Sequence, residues 1–225
     1  AIGHVRLSIV DMVSGRQPML SASNDVGVVF NGEIYGFREI REELFAGGAT
    51  FCTNSDTEVL LALYQKYGMQ MLSRLPGMFA FALWDDREQR LFCARDRFGE
   101  KPFYYAIGRN GEMIFASEIK AILASNLVDP VLDMRAVSHY LHYSYIYPTL
   151  TIYKNIFTLP PAHALCYHAG QMEVEPYWTL PETNVKIGEE EAVEEFTRLF
   201  HQAVRRQLVA DVPVGAFLSG GRDSG

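Results

Sequence analysis

The sequence predicts an α+β protein whose first part packs helices against antiparallel sheets and whose last stretch opens a separate α/β unit. Three observations carry this. Between residues 78 and 117, four short apolar or alternating runs are separated by the turn signals Asp85-Asp86 and Asn110-Gly111. Ahead of them lie two segments with helical apolar spacing, each ended by glycine. After them, one long amphipathic segment leads into the apolar run 212–218 and then into Ser219-Gly220-Gly221-Arg222-Asp223-Ser224. Helix, apolar strand and glycine turn form the opening of a parallel domain, where backbone N–H groups can cradle a phosphate.

In chain order, residues 5–10 and 26–30 read as strands, the second ending at Asn31-Gly32, a tight-turn dipeptide. Phe37, Ile40 and Leu44 recur at helical spacing before Gly47-Gly48, which gives a helix of about three turns. A strand containing Cys52 is expected next. Ser55-Asp56-Thr57-Glu58 is a capping-box pattern, and Val59, Leu60, Leu63, Tyr64 and Tyr67 supply the buried stripe of the helix it starts, with Gly68 at its end. The runs 78–84, 90–95, 103–107 and 113–117 read as four sequential antiparallel strands. A capped helix follows from Ser117 and another from Asp133 through His142, before an irregular stretch around Pro148, Pro160 and Pro161. A hairpin over Ala169-Gly170 reads as a connector at the domain edge. The expected domain division is 1–180 and 181–225. The second part starts with a helix from Glu189 to about Val209 whose buried face is Val193, Phe196, Leu199, Phe200, Val204 and Leu208.

Composition excludes several classes of function. Hydrophobic residues make up 48% of 225, enough for a sizeable core. A net charge of -7 without a Lys/Arg cluster argues against nucleic acid and anionic membrane surfaces. No apolar run is long enough to span a bilayer. Cys52, Cys93 and Cys166 are too far apart and too few for a disulfide framework or a zinc site, so a reducing, cytoplasmic setting and no metal held by these side chains are expected. Cys52 is expected in the core, as free cysteine packs like a small hydrophobe.

Short stretches in the first part carry candidate chemistry, with plain structural readings beside them. Asn31-Gly32 can be a hairpin turn, Arg6 an exposed strand residue, and Asp56 a first-turn acid that complements the helix dipole. Taken together with 77–85, Ala94-Arg95-Asp96-Arg97-Phe98-Gly99-Glu100-Lys101-Pro102 and 115–121, they resemble glutamine-hydrolysing asparagine synthetase along the whole chain. That resemblance implies a class II glutamine amidotransferase domain of the N-terminal-nucleophile fold, two antiparallel sheets between helices, ahead of an ATP pyrophosphatase domain.

Residue by residue, the resemblance implies that Arg6 grips the glutamine α-carboxylate in bidentate fashion. Leu7, Ser8, Ile9 and Val10 would line the pocket, while Glu33 and Asp56 hold the ammonium end. Asn31, through its side-chain amide, and Gly32, through its N–H, would form the oxyanion hole. Leu218, Ser219, Gly220, Gly221, Asp223 and Ser224 would touch ATP, with Mg²⁺ ligands and the aspartate site further along. Arg222 stands where the family usually has an aliphatic residue. The nucleophile implied is a first-residue cysteine, and Ala1 stands in sequence that would lie some tens of residues downstream of it, so the chain reads as part of a longer protein and is expected to be silent alone.

The expected reaction of the longer protein is ATP-dependent transfer of glutamine nitrogen to aspartate. Its partners are then glutamine, aspartate and ATP, with neither nucleic acid nor membrane, and a homodimer is one option. Two alternatives stay open: a relative that amidates another carboxylate, and a non-catalytic glutamine-binding module.

Overall fold

The computed structural model describes residues 1–6, 10–182 and 186–222. Nine strands form two antiparallel sheets among these residues. The larger sheet has the order β1 (Met19–Leu20), β2 (Val26–Ile34), β3 (Gly77–Asp85), β4 (Arg90–Arg95), β8 (His163–His168), β9 (Gln171–Pro176). The smaller has β6 (Met113–Ala116), β5 (Tyr104–Ile107), β7 (Phe157–Thr158). The helices are α1 (Phe37–Ala46), α2 (Asp56–Tyr67), α3 (Ile119–Ala124), α4 (Met134–Tyr143) and α5 (Glu189–Gln207).

Alternation along the strands decides which layer meets which, because successive side chains point to opposite faces. Phe79, Phe81 and Leu83 of β3 join Phe30, Phe92 and the α2 residues Val59, Leu60 and Leu63 in one core. Ala80 and Ala82 of the same strand join Val29, Cys93, Phe103 and Tyr105 in a second core between the sheets. A third cluster, with Ala106, Ile122 and Ile156, seats α3 against the far side of the small sheet. The layers thus run helix, sheet, sheet, helix. Buried on both faces, β3 reads as an almost unbroken apolar run. Aromatic rings lock the first core, with Phe81 and Phe92 edge to face at 5.5 Å between centroids.

The start of α2 shows how local chemistry sets a helix. Ser55 Oγ accepts the Thr57 N–H at 3.2 Å. Glu58 does not close the capping box on the Ser55 N–H. It reaches back to the N–H groups of Cys52 and Thr53, each at 2.7 Å, and Ser55 N–H goes to Thr53 Oγ1 at 3.2 Å. The 49–55 connection is therefore ordered by side chains rather than by a strand, and Cys52 is exposed rather than in the core.

Several other expectations change. Asn31-Gly32 is no turn: β2 runs on to Ile34, with Asn31 opposite Ala80 and Gly32 opposite Phe79. Long-range pairing with β3 outweighs the local turn preference. Arg6 and Val10 lie outside any strand, and so does Val5. The four expected sequential strands split, β3–β4 in one sheet and β5–β6 in the other. The α3 start lacks a side-chain cap, whereas Asp133 does cap α4 by accepting the Arg135 N–H. The hairpin over Ala169-Gly170 forms as β8 and β9, and β8 pairs with β4 so that it extends the large sheet. Helix α5 forms, but none of its residues is buried; Phe196 is 68% exposed. The run 212–218 is exposed coil, not a buried strand.

Candidate functional site

The end of β2 meets the start of α2 beside a tight contact between the β2 and β3 backbones. Gly32 has φ 154°, and a Cβ there would lie 2.1 Å from Met78 O and 2.7 Å from Phe79 Cα. Gly77 mirrors it, since its Cβ would lie 2.1 Å from Glu33 O. Only glycine on both strands permits this contact. The pinch holds the backbone of Asn31, Gly32 and Glu33 along one wall of a cavity of about 560 Å³. Arg6, Val10 and Asp56 line the same cavity, and Lys101 and Glu118 stand along it as well.

Asp56 is 5% exposed and its Oδ2 accepts the Ile34 N–H at 3.2 Å. Burial pushes its carboxyl up to about 6, with Glu33 adding to the rise; the Ile34 and Thr57 N–H groups and the Arg6 guanidinium pull the other way. A carboxylate kept in so poorly solvated a place lowers its energy by meeting a cation. An ammonium group brought into the cavity beside Asp56 and Glu33 supplies one.

Arg6 is fixed by its own loop. Its Nη1 donates to Asp11 O at 3.0 Å, its Nη2 donates to Val10 O, and Gly15 leaves room for the guanidinium, since a Cβ there would come within 2.5 Å of Nη2. Five N–H groups on the fork leave others for a ligand carboxylate. Asp11 secures this loop in turn: it accepts the N–H groups of Ser14 and Asn54, at 2.9 and 2.8 Å, and gives its own N–H to Asp211 Oδ2 at 2.8 Å. These hydrogen bonds, led by the Ser14 hydroxyl, hold the Asp11 carboxyl below its usual range.

Arg6, Val10, Asn31, Gly32, Glu33 and Asp56 are thus brought to one cavity. Leu7, Ser8 and Ile9 lie outside the described residues. The second group is elsewhere: Leu218, Ser219, Gly220 and Gly221 sit in the exposed C-terminal stretch, and Asp223 and Ser224 lie outside the described residues. Gly220 does adopt a turn conformation, φ 73°, and Gly221 N–H donates to Ser219 Oγ at 3.4 Å. Among the described residues, no buried strand leads into this turn and no formed phosphate cradle surrounds it.

Sequence reasoning missed Gln17. Its amide brackets Phe30, accepting the Phe30 N–H at 2.6 Å and donating to Phe30 O at 3.0 Å, so a side chain extends the ladder just before β1 begins. No local pattern marks such a role. None of the cysteines lines the cavity: Cys52 is exposed, Cys93 is fully buried with its thiol pushed far up by desolvation, and burial also raises Cys166.

Comparison with known proteins supplies the lineage. The family model of the glutamine amidotransferase domain matches residues 1–178, and that of asparagine synthase matches residues 195–225. The chain is 40% identical over 228 residues to asparagine synthetase [glutamine-hydrolyzing] 3 of Bacillus subtilis, covering 99% of this chain and 36% of that protein. It is 39% identical over 229 residues to amidase chry2 of Gibberella zeae, covering 99% and 33%. The chain therefore spans about a third of the length of these curated relatives. Among solved structures, one titled as the allosteric regulatory enzyme of purine biosynthesis superposes with a TM-score of 0.58 at 22% identity, over 79% of this chain and 35% of that one, which supports the fold. With more than three quarters of its length matched by one family and the paired antiparallel sheets in place, the chain belongs to the glutamine amidotransferase domain family.

Proposed function

We propose that the 560 Å³ cavity binds glutamine and polarises its side-chain amide for hydrolysis to glutamate and ammonia. The observation that carries this reading is the convergence of a guanidinium, a carboxamide beside a pinched glycine backbone, and a buried carboxylate on one space. Arg6 holds the α-carboxylate by charge-assisted hydrogen bonds. Asp56, with Glu33, holds the ammonium, and the spacing between these two ends selects an amino acid. Asn31 and the Gly32 N–H face the amide carbonyl and stabilise the oxyanion that forms when a nucleophile adds, a contribution of about 3 kcal/mol per donor. The nucleophile implied by the family resemblance is a thiol other than those of Cys52, Cys93 and Cys166.

In the longer protein, the ammonia goes to aspartate activated by ATP and Mg²⁺, yielding asparagine, AMP and pyrophosphate, in a cytoplasmic setting. The likeness of nearly this whole chain to a part of the Bacillus subtilis synthetase and the match of the asparagine synthase family to residues 195–225 support this reading. A second reading, in which another carboxylate takes the nitrogen, rests on the same cavity, whose residues address the nitrogen donor and leave the acceptor open. Incubating the full-length gene product with ATP, glutamine and a panel of acids decides between them: asparagine as the sole amide product supports the first, and amidation of a different acid with aspartate untouched overturns it. Ammonia release that glutamine does not stimulate overturns both.

A further inference from the structure

The motif Arg95-Asp96-Arg97-Phe98-Gly99-Glu100-Lys101 reaches the cavity only through Lys101, yet it contains the best-satisfied buried carboxylate of the described residues. Asp96 is 0% exposed. Its Oδ1 accepts the N–H groups of Phe98 and Glu100 at 3.0 and 2.9 Å, and its Oδ2 accepts those of Lys101 and Phe79 at 3.0 and 3.2 Å. Four backbone donors compensate the buried charge. Arg95 ties the same loop from outside, donating to Lys101 O at 2.7 Å, Gly99 O at 2.6 Å and Leu159 O at 2.8 Å.

The Phe79 bond gives this loop its reach. Phe79 is held by Asp96 twice, through its N–H to the carboxylate and through its carbonyl, which accepts the Asp96 N–H at 2.8 Å. Across the other edge of β3, Phe79 faces Gly32, whose Cα lies so near that a Cβ would meet Phe79 Cα at 2.7 Å. Gly32 has no side chain to pack, so the position of its backbone is set by the strand pressed against it. Asp96, Phe79 and Gly32 thus form one chain of contacts from a buried anion to the cavity wall. The same carboxylate also fixes the backbone of Lys101, which lines that cavity further along.

We propose that Asp96 is a positioning residue for amide hydrolysis: through Phe79 it fixes where the Gly32 N–H stands. The proposal rests on the glutamine-hydrolysing reading above. An oxyanion donor acts at 2.7–3.1 Å, and a shift of about 1 Å in such a group costs about 10²-fold in rate. Loss of the Phe79 bond therefore lowers turnover rather than glutamine binding, which rests on Arg6 and Asp56 at the other end of the ligand.

The test uses the full-length gene product, with hydrolysis measured per active site, the sites being counted by an electrophilic glutamine analogue that labels the nucleophile. For Asp96→Asn we expect kcat per labelled site to fall about 100-fold with KM for glutamine within about threefold. Glu100→Ala removes an exposed side chain but keeps its backbone N–H, and we expect unchanged kinetics. Where Asp96→Asn does not fold, Asp96→Glu keeps the charge and displaces it by one methylene, with the same expected loss. Fewer labelled sites with normal kcat per site, or a raised KM with normal kcat, assigns Asp96 a purely structural role and overturns the proposal. Amide exchange on the wild-type chain gives a check that needs no variant: the N–H groups of Phe79, Phe98, Glu100 and Lys101 should open together, and loop amides exchanging more than about tenfold faster than Phe79 contradict it. Wild-type protein that leaves glutamine intact sinks the functional reading itself, whereas active wild type with a normal Asp96→Asn sinks only this inference.

Discussion

Residues 77–85 and 212–218 are both apolar runs, and only the first is a strand. Strand β3 has partners on both edges and cores on both faces, so Phe79 and Phe81 are each 1% exposed. The later run has no neighbouring strand among the described residues, carries Pro213 and Gly215, and leaves Phe217 fully exposed. Helices α2 and α5 repeat the contrast, the first buried along most of its length and the second nowhere. An apolar pattern states a capacity for burial, and neighbours decide whether it is realised.

The sharpest way to break the contrast is at Gly32. A Cβ there has no space against Met78 O, so Gly32→Ala should part β2 from β3, cost about 4 kcal/mol and abolish glutamine binding; urea unfolding and calorimetry check both, and a tolerated alanine would show that the pinch is not required. Next comes a pair of phenylalanines. Phe81→Ala should cost about 3–5 kcal/mol through the cavity it leaves, while Phe196→Ala on the exposed face of α5 should stay within about 0.5 kcal/mol. Equal losses would mean that α5 is packed in solution.

Asp56 gives a smaller effect of opposite sign. Its folded carboxyl is raised above the unfolded value of 3.8 to about 6, so the folded state binds the proton more tightly. The stability this group contributes is full below about pH 4 and is lost as pH rises through about 6. Asp56→Asn, which keeps an acceptor for the Ile34 N–H, should therefore stabilise the chain by about 1–3 kcal/mol at pH 7.5 and by little at pH 4, while glutamine binding is lost. A variant less stable at pH 7.5 would show that the carboxylate is satisfied without ligand. The smallest effect belongs to the tether between the two regions: Asp211→Ala removes the bond to the Asp11 N–H and the 4.0 Å approach to Arg38, and should cost at most about 1 kcal/mol while making 186–222 more sensitive to protease.

What could be read from the sequence follows the same division. Helices α1, α2 and α4 and strands β3, β4, β8 and β9 were legible because apolar period, caps and turn residues agree locally. Strand β2 was half legible: Asn31-Gly32 signals a turn, and only the distant Gly77 and Phe79 make it a strand. Cys52 was misread because an acid, Glu58, and not a strand orders its surroundings. Arg6, Asn31 and Asp56 each look ordinary where they stand, and it was the family resemblance, not spacing, that joined them. Gln17 reaches the backbone of Phe30 and Asp96 that of Phe79, 13 and 17 residues away, beyond any local window.

If Arg6, the Asn31-Gly32 backbone and Asp56 together bind one amino acid carrying a terminal amide, calorimetric titration of this chain with glutamine across pH 4.5–8 reads that binding without any other component. We expect one site per chain, an affinity level above about pH 6 that weakens up to about tenfold per unit below it as Asp56 takes up its proton, and no heat with Arg6→Ala or Asp56→Asn. Binding that is independent of pH, or that survives either substitution, would contradict it.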